Sequence, residues 1–385
     1  MDNIAGTKSR LTWAVHLSVA VLVALWLFPT VGLLVSSFRT ADQITNSGWW
    51  ASLTSSEQVL QLRTGGSEQA IEENGLFVVT GNLLADSEDA EGVTKIDAFG
   101  VSSRAIGVFT PGETVSAGDG EELTLAEDGT YRYTSVEQPG KRGQRVFITA
   151  LVPPEFTTNN YKTILFSGTG QDNLAKAFFN TLTVTIPATI IPIVVAAFAA
   201  YALAWMEFPG RALLIALVVA LLVVPLQLAL IPLLKLHLNI GIGKGYLGVW
   251  LAHTGFGLPL AIYLLRNYMV GLPKDIIENA KVDGATDFQI FTKIILPLSF
   301  PALASFAIFQ FLWTWNDLLV AKVFLIDSTG QTTVMTNQIV ELLGTRGGNW
   351  EILATAAFVS IAVPLLVFFA LQRYLVRGLL AGSVK

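Results

Sequence analysis

Apolar residues cluster into six runs, at residues 11–38, 178–205, 212–236, 246–265, 299–326 and 352–371. Short polar breaks separate the last five, and a long polar segment, 39–177, follows the first. A membrane-crossing helix takes roughly 20 apolar residues, so the runs predict six spans. The first is too long for a signal-peptide core and has no small-residue cleavage site before Phe38, which predicts a retained helix. Pro29, Pro187, Pro192, Pro225, Pro232, Pro259 and Pro364 fall inside the runs, where neighbouring helices can satisfy the freed carbonyls. Small residues along 198–204 and 255–260 predict close helix packing. Thr181, Thr183 and Thr185 are expected to hydrogen-bond between helices.

The polar segment has a different period. Residues 76–80, 105–109, 122–125, 130–134 and 145–151 are short β-prone runs separated by turn residues such as Glu127-Asp128-Gly129 and Gln138-Pro139-Gly140. Alternation in Tyr131-Arg132-Tyr133-Thr134 suits a half-exposed strand. The segment is long enough to bury a core of its own. The acidic cluster at 86–91 reads as a solvated loop, its spacing being too unspecific for a metal site. The expected fold is therefore an all-α polytopic membrane protein with an inserted β-rich domain.

Composition sharpens the division. Only 14% of residues are charged, against about 25% in ordinary soluble domains. Residues 40–177 hold 19 of the 29 acidic and 9 of the 24 basic residues, a net of −10, which leaves +5 for the rest. The overall −5 is a sum over two materials and says little about partners; no nucleic acid is expected. Lys8 and Arg10 precede the first run and predict a cytoplasmic N-terminus. Alternation then places 207–211, the loop 266–293 and the basic tail (Arg373, Arg377, Lys385) inside, and residues 39–177 outside. The outer segments 235–244 and 322–346 also carry some positive charge. There is no cysteine, so neither disulfide nor thiol chemistry is available.

The cytoplasmic loop has a readable design. Pro273 suits a helix start, and Asp275 and Glu278 are expected in the first turn, where the helix dipole favours anions. Ile276, Ile277, Ala280 and Val282 form a short apolar stripe. Gly284 supplies a break where φ can turn positive. A second helix, about 287–295, ends at Pro297, and Ser299 opens the fifth span. Two short helices meeting at a glycine elbow, or an interfacial pair resting on headgroups, both satisfy this pattern.

The pattern Glu278, Ala280, Gly284, Ile294, Leu296 and Pro297 resembles the EAA loop of permease subunits in bacterial binding-protein-dependent ABC importers, with every spacing intact. Asn279 departs from it, standing where that family usually has Ala. Residues 225–233, 255–266 and 309–319 extend the resemblance to maltose/maltodextrin-type sugar permeases, over residues 173–385 plus the first helix. The large segment after the first helix resembles that of α-glucoside permeases. The resemblance implies a type I ABC importer permease fold with six transmembrane helices, in the bacterial inner membrane, with both termini cytoplasmic. Its domains would be the N-terminus and first helix (1–38), an extracytoplasmic insert (39–172), five helices with the coupling loop 266–297 (173–372) and a tail (373–385) similar to one that reaches the ATP-binding pair. The implied partners are a second permease subunit, two ATP-binding subunits, an extracytoplasmic sugar-binding protein, an oligosaccharide and the lipid bilayer. No cofactor is implied for this chain, and ATP is used by the partner subunits. Glu278 or Asp283 would be the ionic handle and Gly284 the joint of a lever, with capping of its own helix as the second reading of Glu278.

The chain is not expected to be an enzyme. Gly241-Ile242-Gly243-Lys244-Gly245 lacks the spacing of a phosphate-cradling loop and reads as a turn. His16, His237 and His253 lack zinc-type spacing and are expected to be packed or hydrogen-bonded. A substrate pathway needs polar residues within spans. Gln310, Trp313, Thr314 and Asp317 fall on one face at 3.6 residues per turn, and Gln227 is a further candidate. A charge such as Asp317 at mid-span costs about 2.5–3.5 kcal/mol, which predicts an interior, paired position. A helix-packing role for the Trp-Thr-Trp-Asn-Asp stretch is the other reading, most directly for Trp315 and Asn316. Rival classes are a membrane-anchored sensor, which has no use for the cytoplasmic elbow, and a secondary transporter, which predicts internal repeats the sequence lacks. A permease for a different sugar is a further alternative.

Overall fold

The computed structural model of the chain describes residues 10–87, 90, 92–166, 173–326 and 329–380. Lys8, Glu88, Asp89, Glu91 and Lys385, used above, lie outside them, as do the side chains of Arg10 and Arg377. The chain divides into two compact units, Met1–Asn160 with Asn349–Ala354, and Tyr161–Gly348 with Thr355–Lys385.

The first unit begins with the apolar helix α1 (Arg10–Ser36) and the short α2 (Ala41–Asn46). The turn between them is fixed by Arg39, which is 2% exposed and donates to the carbonyls of Gln43 (2.7 Å) and Ser47 (3.0 Å). Eight strands follow: β1 (Ser56–Arg63), β2 (Ile71–Glu73), β3 (Leu76–Asn82), β4 (Ile96–Gly100), β5 (Thr114–Gly118), β6 (Glu121–Leu125), β7 (Thr130–Ser135) and β8 (Arg145–Val152). They form antiparallel sheets in the orders β1-β8-β4 and β2-β3-β7-β6-β5. Leu62, Ile96, Phe99, Val146 and Ile148 of the smaller sheet share one core with Val79, Leu123, Leu125, Tyr131 and Tyr133 of the larger. On β7, Tyr131 and Tyr133 are buried and Arg132 exposed, the alternation expected of a strand with one face on a core.

Residues 105–109 are not a strand. The Ala105 N–H closes a tight turn onto Ser102 O (3.0 Å), and an isolated Phe99–Phe109 bridge is the pairing that remains. β1, β2, β4 and β5 escaped the sequence reading. β1 (SEQVLQLR) is half polar, and pairing with β8 along its whole length makes it a strand.

The second unit is helical: α4 (Leu174–Trp205), α5 (Arg211–Leu221), α6 (Leu226–Asn239), α7 (Tyr246–Val270), α8 (Lys274–Val282), α9 (Asp287–Ile290), α10 (Leu296–Leu298), α11 (Phe300–Trp315), α12 (Leu319–Phe324) and α13 (Met335–Thr345), with α3 (Asn159–Phe166) before and α14 (Trp350–Leu380) after in chain order. Among the described residues four helical stretches are long and apolar enough to cross a membrane: Leu11–Ser36, Leu174–Trp205, Tyr246–Val270 and Trp350–Tyr374.

The third run is not a straight span, and the fifth span opens at an angle to the helix before it, where Ser299 is expected to begin it. Arg211–Leu221 and Leu226–Asn239 meet at 112°, and Asp287–Leu298 and Phe300–Trp315 at 70°. Pro225 sits just before α6, where it lacks an N–H and disfavours helix at the residue before it. The fifth run breaks after Trp315, because the Asp317 carboxylate takes the Ala321 N–H (3.1 Å), one of the free donors that open α12. Thr181 Oγ1 accepts the Met335 N–H (2.8 Å) and so links α4 to α13. Thr183 instead bonds Phe179 O within its own helix, and Thr185 Oγ1 is buried with no partner among the described residues. The glycine-rich stretch 241–245 is a turn, in which the Ile242 and Gly243 N–H groups both donate to His237 O (2.9 and 3.1 Å).

Candidate functional site

The elbow is built as two helices with a defined joint. α8 starts after Pro273, carries Asp275 in its first turn and Lys281 in its last, which suits the helix dipole at both ends. Glu278 lies one turn further in and makes no capping bond, so the capping reading has no geometry behind it. Gly284 at φ +80° ends the helix. Its N–H donates to Lys281 O (3.0 Å) and the Ala285 N–H to Ala280 O (3.0 Å), the paired bonds of a Schellman motif. Thr286 and Gln289 then form a capping box that starts α9. The helix continues through a π turn, Phe291–Ile295, into α10. Pro297 has no N–H to offer the preceding turn, and a local widening of this kind accommodates that. The second helix therefore runs past Pro297 to Leu298.

One face of this elbow is bolted to the helical body. Ile277, Ile290, Phe291 and Ile295 are buried in a single cluster with Leu265 and Met269, and Ala280, Ile294 and Leu296 pack against it. Phe291 stacks near Phe198 (4.7 Å) and Tyr201 (5.3 Å) of α4. Tyr201 Oη donates to Asp287 Oδ1 (3.3 Å), and Tyr268 Oη to Leu298 O (3.1 Å). The other face is open. Glu278, Asp283, Gly284 and Pro297 are exposed, as are Val282 (86%) and Phe288 (66%). The expected stripe therefore splits, with Ile277 and Ala280 inward and Ile276 and Val282 outward. Lys281 Nζ lies 3.8 Å from Asp287 Oδ1 across the joint, an exposed pair worth about 0.2–1 kcal/mol. Behind α8 a cleft of about 420 Å³ is lined by Glu207, Arg211, Arg266, Lys274, Glu278 and Lys281.

A second polar group lies deep among the long helices. Gln310 (2% exposed) donates from Nε2 to Ala188 O at 3.1 Å. Ala188 is four residues before Pro192, which has no N–H to return, so Gln310 supplies the bond that proline removes. Gly257 makes the room: a Cβ there would lie 2.5 Å from Gln310 Oε1. Gly257→Ala is therefore expected to displace the amide, orphan the Ala188 carbonyl and cost about 1–3 kcal/mol. The melting temperature of the purified protein reads this, and Gln310→Ala should relieve part of the clash.

Nearby, Asp317 Oδ2 lies 3.7 Å from His253 Nε2, with both side chains buried. Thr314 is 3% exposed and its Oγ1 has no partner among the described residues. Trp313 is 46% exposed, and Gln227, in the first turn of α6, is exposed. The helical face drawn from sequence is thus divided: Gln310 and Thr314 point inward, Trp313 outward, and Asp317 lies beyond the end of α11. Sequence reading missed the His253–Asp317 pairing. Its signal was a lone histidine and a lone carboxylate in two separate apolar runs.

Residues 172–380 match the family profile of the binding-protein-dependent transport system inner membrane component. Over 384 residues the chain is 60% identical to the alpha-glucoside transport system permease protein of Rhizobium meliloti (strain 1021), covering 98% of each. It is 58% identical over 240 residues to the osmoprotective compounds uptake permease protein of Synechocystis sp., covering 62% of this chain and 79% of that one. It is 36% identical over 240 residues to the trehalose transport system permease protein of Mycobacterium tuberculosis, covering 61% and 84%.

Proposed function

Because the chain belongs to the family of binding-protein-dependent transport system inner membrane components, we propose that it is the permease subunit of an ATP-driven oligosaccharide importer whose cargo class is α-glucosides. The observation that carries the cargo class is the reach of the identity to the Rhizobium meliloti permease. It spans 98% of both chains and so includes the sheet region that precedes the family match at residue 172. The helical part has the type I importer permease fold, with membrane-spanning helices, in the bacterial inner membrane. The chain is a transport component and not an enzyme.

The finer reading is six spans: the four long helices, the bent pair Arg211–Leu221 and Leu226–Asn239 counted as one, and the span that opens with Phe300–Trp315 after the elbow. Residues 39–172 form an extracytoplasmic insert between a 1–38 anchor and a 173–372 permease body, and 373–385 is a cytoplasmic tail. Two features support the insertion. The Thr157 N–H donates to Phe38 O at 2.7 Å, so the polypeptide leaves and rejoins the end of α1 at one place. Phe28 of α1 clusters with Trp49 and Trp50, the Phe28–Trp49 centroids lying 4.6 Å apart, an aromatic group of the kind that marks a membrane–water interface. The basic flanks of the other spans support cytoplasmic termini.

A second permease subunit completes the pathway, two ATP-binding subunits hydrolyse ATP, and an extracytoplasmic sugar-binding protein delivers the cargo. No cofactor is assigned to this chain. The open face of the elbow, with Glu278, Asp283, Val282 and Phe288, docks on an ATP-binding subunit, while the Gly284 joint and the cluster of Ile294, Leu296 and Ala280 pass its movement into α4 and α7. Trp313 and Gln227, exposed in the isolated subunit, face the shared pathway, whereas Gln310, Thr314 and Asp317 hold the helices that frame it. Reconstituting the complete complex in vesicles and following labelled maltose, sucrose and trehalose tests this. Uptake is expected only with ATP, both ATP-binding subunits and the binding protein present. Sugar carried by the purified chain alone would refute it.

A further inference from the structure

The sheet region is acidic overall yet gathers its unpaired positive charge at one place. A hollow of about 270 Å³ is lined by Arg63, Ser102, Ser103, Gln144, Arg145 and Phe147. Arg63 and Arg145 are register partners on β1 and β8, and like charges directly opposite each other destabilise a strand pair. Arg104 follows Ser103, and Lys141 and Arg142 come just before Gly143, which also lines the hollow. Other basic residues of these sheets are neutralised: Lys95 lies 3.5 Å from Glu127 and Arg132 lies 3.4 Å from Glu73. Among the described residues Arg63, Arg104, Lys141, Arg142 and Arg145 form no ion pair. Arg63 Nη1 donates to the carbonyls of Arg142 (3.5 Å) and Gly143 (3.3 Å).

The hollow has a fixed frame. Thr64 N–H donates to Gln144 O (3.0 Å), and Gln144 N–H to Thr64 Oγ1 (2.9 Å). Gly65 N–H donates to Tyr131 Oη (2.6 Å), which ties the loop to the larger sheet. Gly143 at φ +63° passes so close to the Thr64 carbonyl that a Cβ would lie 1.9 Å from it. Charges that repel one another are therefore held in register on rigid backbone, an arrangement that becomes favourable when a multivalent anion binds.

Position selects the anion's source. The Ser56–Val152 end of the β1–β8 pair adjoins the segments that return to α1, and the Arg63–Arg145 end is the far one. Seven strand steps of about 3.3 Å separate them, roughly 23 Å. Measured along the strand, the hollow therefore lies more than a Debye length of about 8–10 Å from the end joined to α1. We propose that this basic hollow is the docking surface for an acidic patch on the soluble sugar-binding protein. The inference rests on the importer reading and on the extracytoplasmic placement of residues 39–172.

The test uses the complete complex in nanodiscs and the purified binding protein that supports its uptake, with association measured by surface plasmon resonance at low and physiological salt. Arg63→Glu/Arg145→Glu is expected to slow association about tenfold at low salt and flatten its salt dependence, with dissociation and basal ATPase rates unchanged. Lys141→Glu/Arg142→Glu should act in the same direction, and Lys95→Glu/Arg132→Glu should change nothing. Wild-type association in both hollow variants, with uptake still dependent on the binding protein, would overturn this inference and leave the importer reading standing. Uptake that needs no binding protein would undercut the reading itself. An effect seen in phosphatidylglycerol nanodiscs and absent in phosphatidylcholine ones would make headgroups the occupant, and would overturn the inference too.

Discussion

Replacing Gly284 by proline is expected to abolish ATP-driven uptake while the complex still assembles and hydrolyses ATP. The residue holds φ at +80°, and proline is locked near −65°. Its N–H, given to Lys281 O, would also be lost, so both the direction of the joint and one of its two closing bonds disappear. The damage stays local because Gly284 is exposed and packs against nothing: a Cβ there would meet no atom within 4 Å. That gives an internal control. Gly284→Ala keeps the N–H and pays about 1–2 kcal/mol for a left-handed L-residue, so it should lower uptake partially. Uptake and ATPase rates in vesicles distinguish the cases. Proline is expected below about a tenth of wild-type uptake, the effect of some 1.4 kcal/mol on the coupled step, with ATPase retained. Normal uptake by the proline variant would remove the elbow from the mechanism.

That joint could be located from sequence because local chemistry dictates it. Pro273, Gly284 and the Thr286–Gln289 pair each encode a helix end through their own backbone and side-chain bonds, and the boundaries follow within a residue or two. What sequence could not say was which face of α8 would be covered. Ile276 and Ile277 are chemically alike, and their 38% and 4% exposures are decided by α7 and α9, which are distant or out of register in the pattern. The bend at 112° was hidden for a related reason: an apolar run reads the same whether straight or folded back, and Pro225 alone does not distinguish a kink from a break. In the sheets, β3, β7 and β8 are rich in aromatic or β-branched residues, whereas β1 is half polar and becomes a strand through its pairing with β8. The polar group inside the helices is the sharpest case. Helical periodicity assigned Gln310, Trp313, Thr314 and Asp317 to one face. The break after Trp315 comes from the Asp317 carboxylate, which competes for backbone donors as aspartate does at helix starts.

That same carboxylate is the basis of the second large effect. Asp317→Leu is expected to destabilise the protein by about 1–3 kcal/mol, the range for leaving a buried polar group without its partner. Two losses combine: the buried His253 ring loses its polar neighbour, and the Ala321 N–H at the start of α12 loses its acceptor. Asp317→Asn separates them, since an amide oxygen can still take the backbone donor while the charge is gone. The asparagine variant should therefore retain more folded protein than the leucine variant and less than wild type. In the double variant His253→Leu/Asp317→Leu both polar partners are removed together, so its loss should be smaller than the sum of the single losses by about 0.5–3 kcal/mol. Thermal unfolding of the detergent-solubilised complex, with the yield of assembled complex as a second readout, measures all four. Additive losses would mean that the 3.7 Å approach of His253 to Asp317 carries no interaction. The role of Asp317 would then reduce to starting α12, and the asparagine variant would behave as wild type.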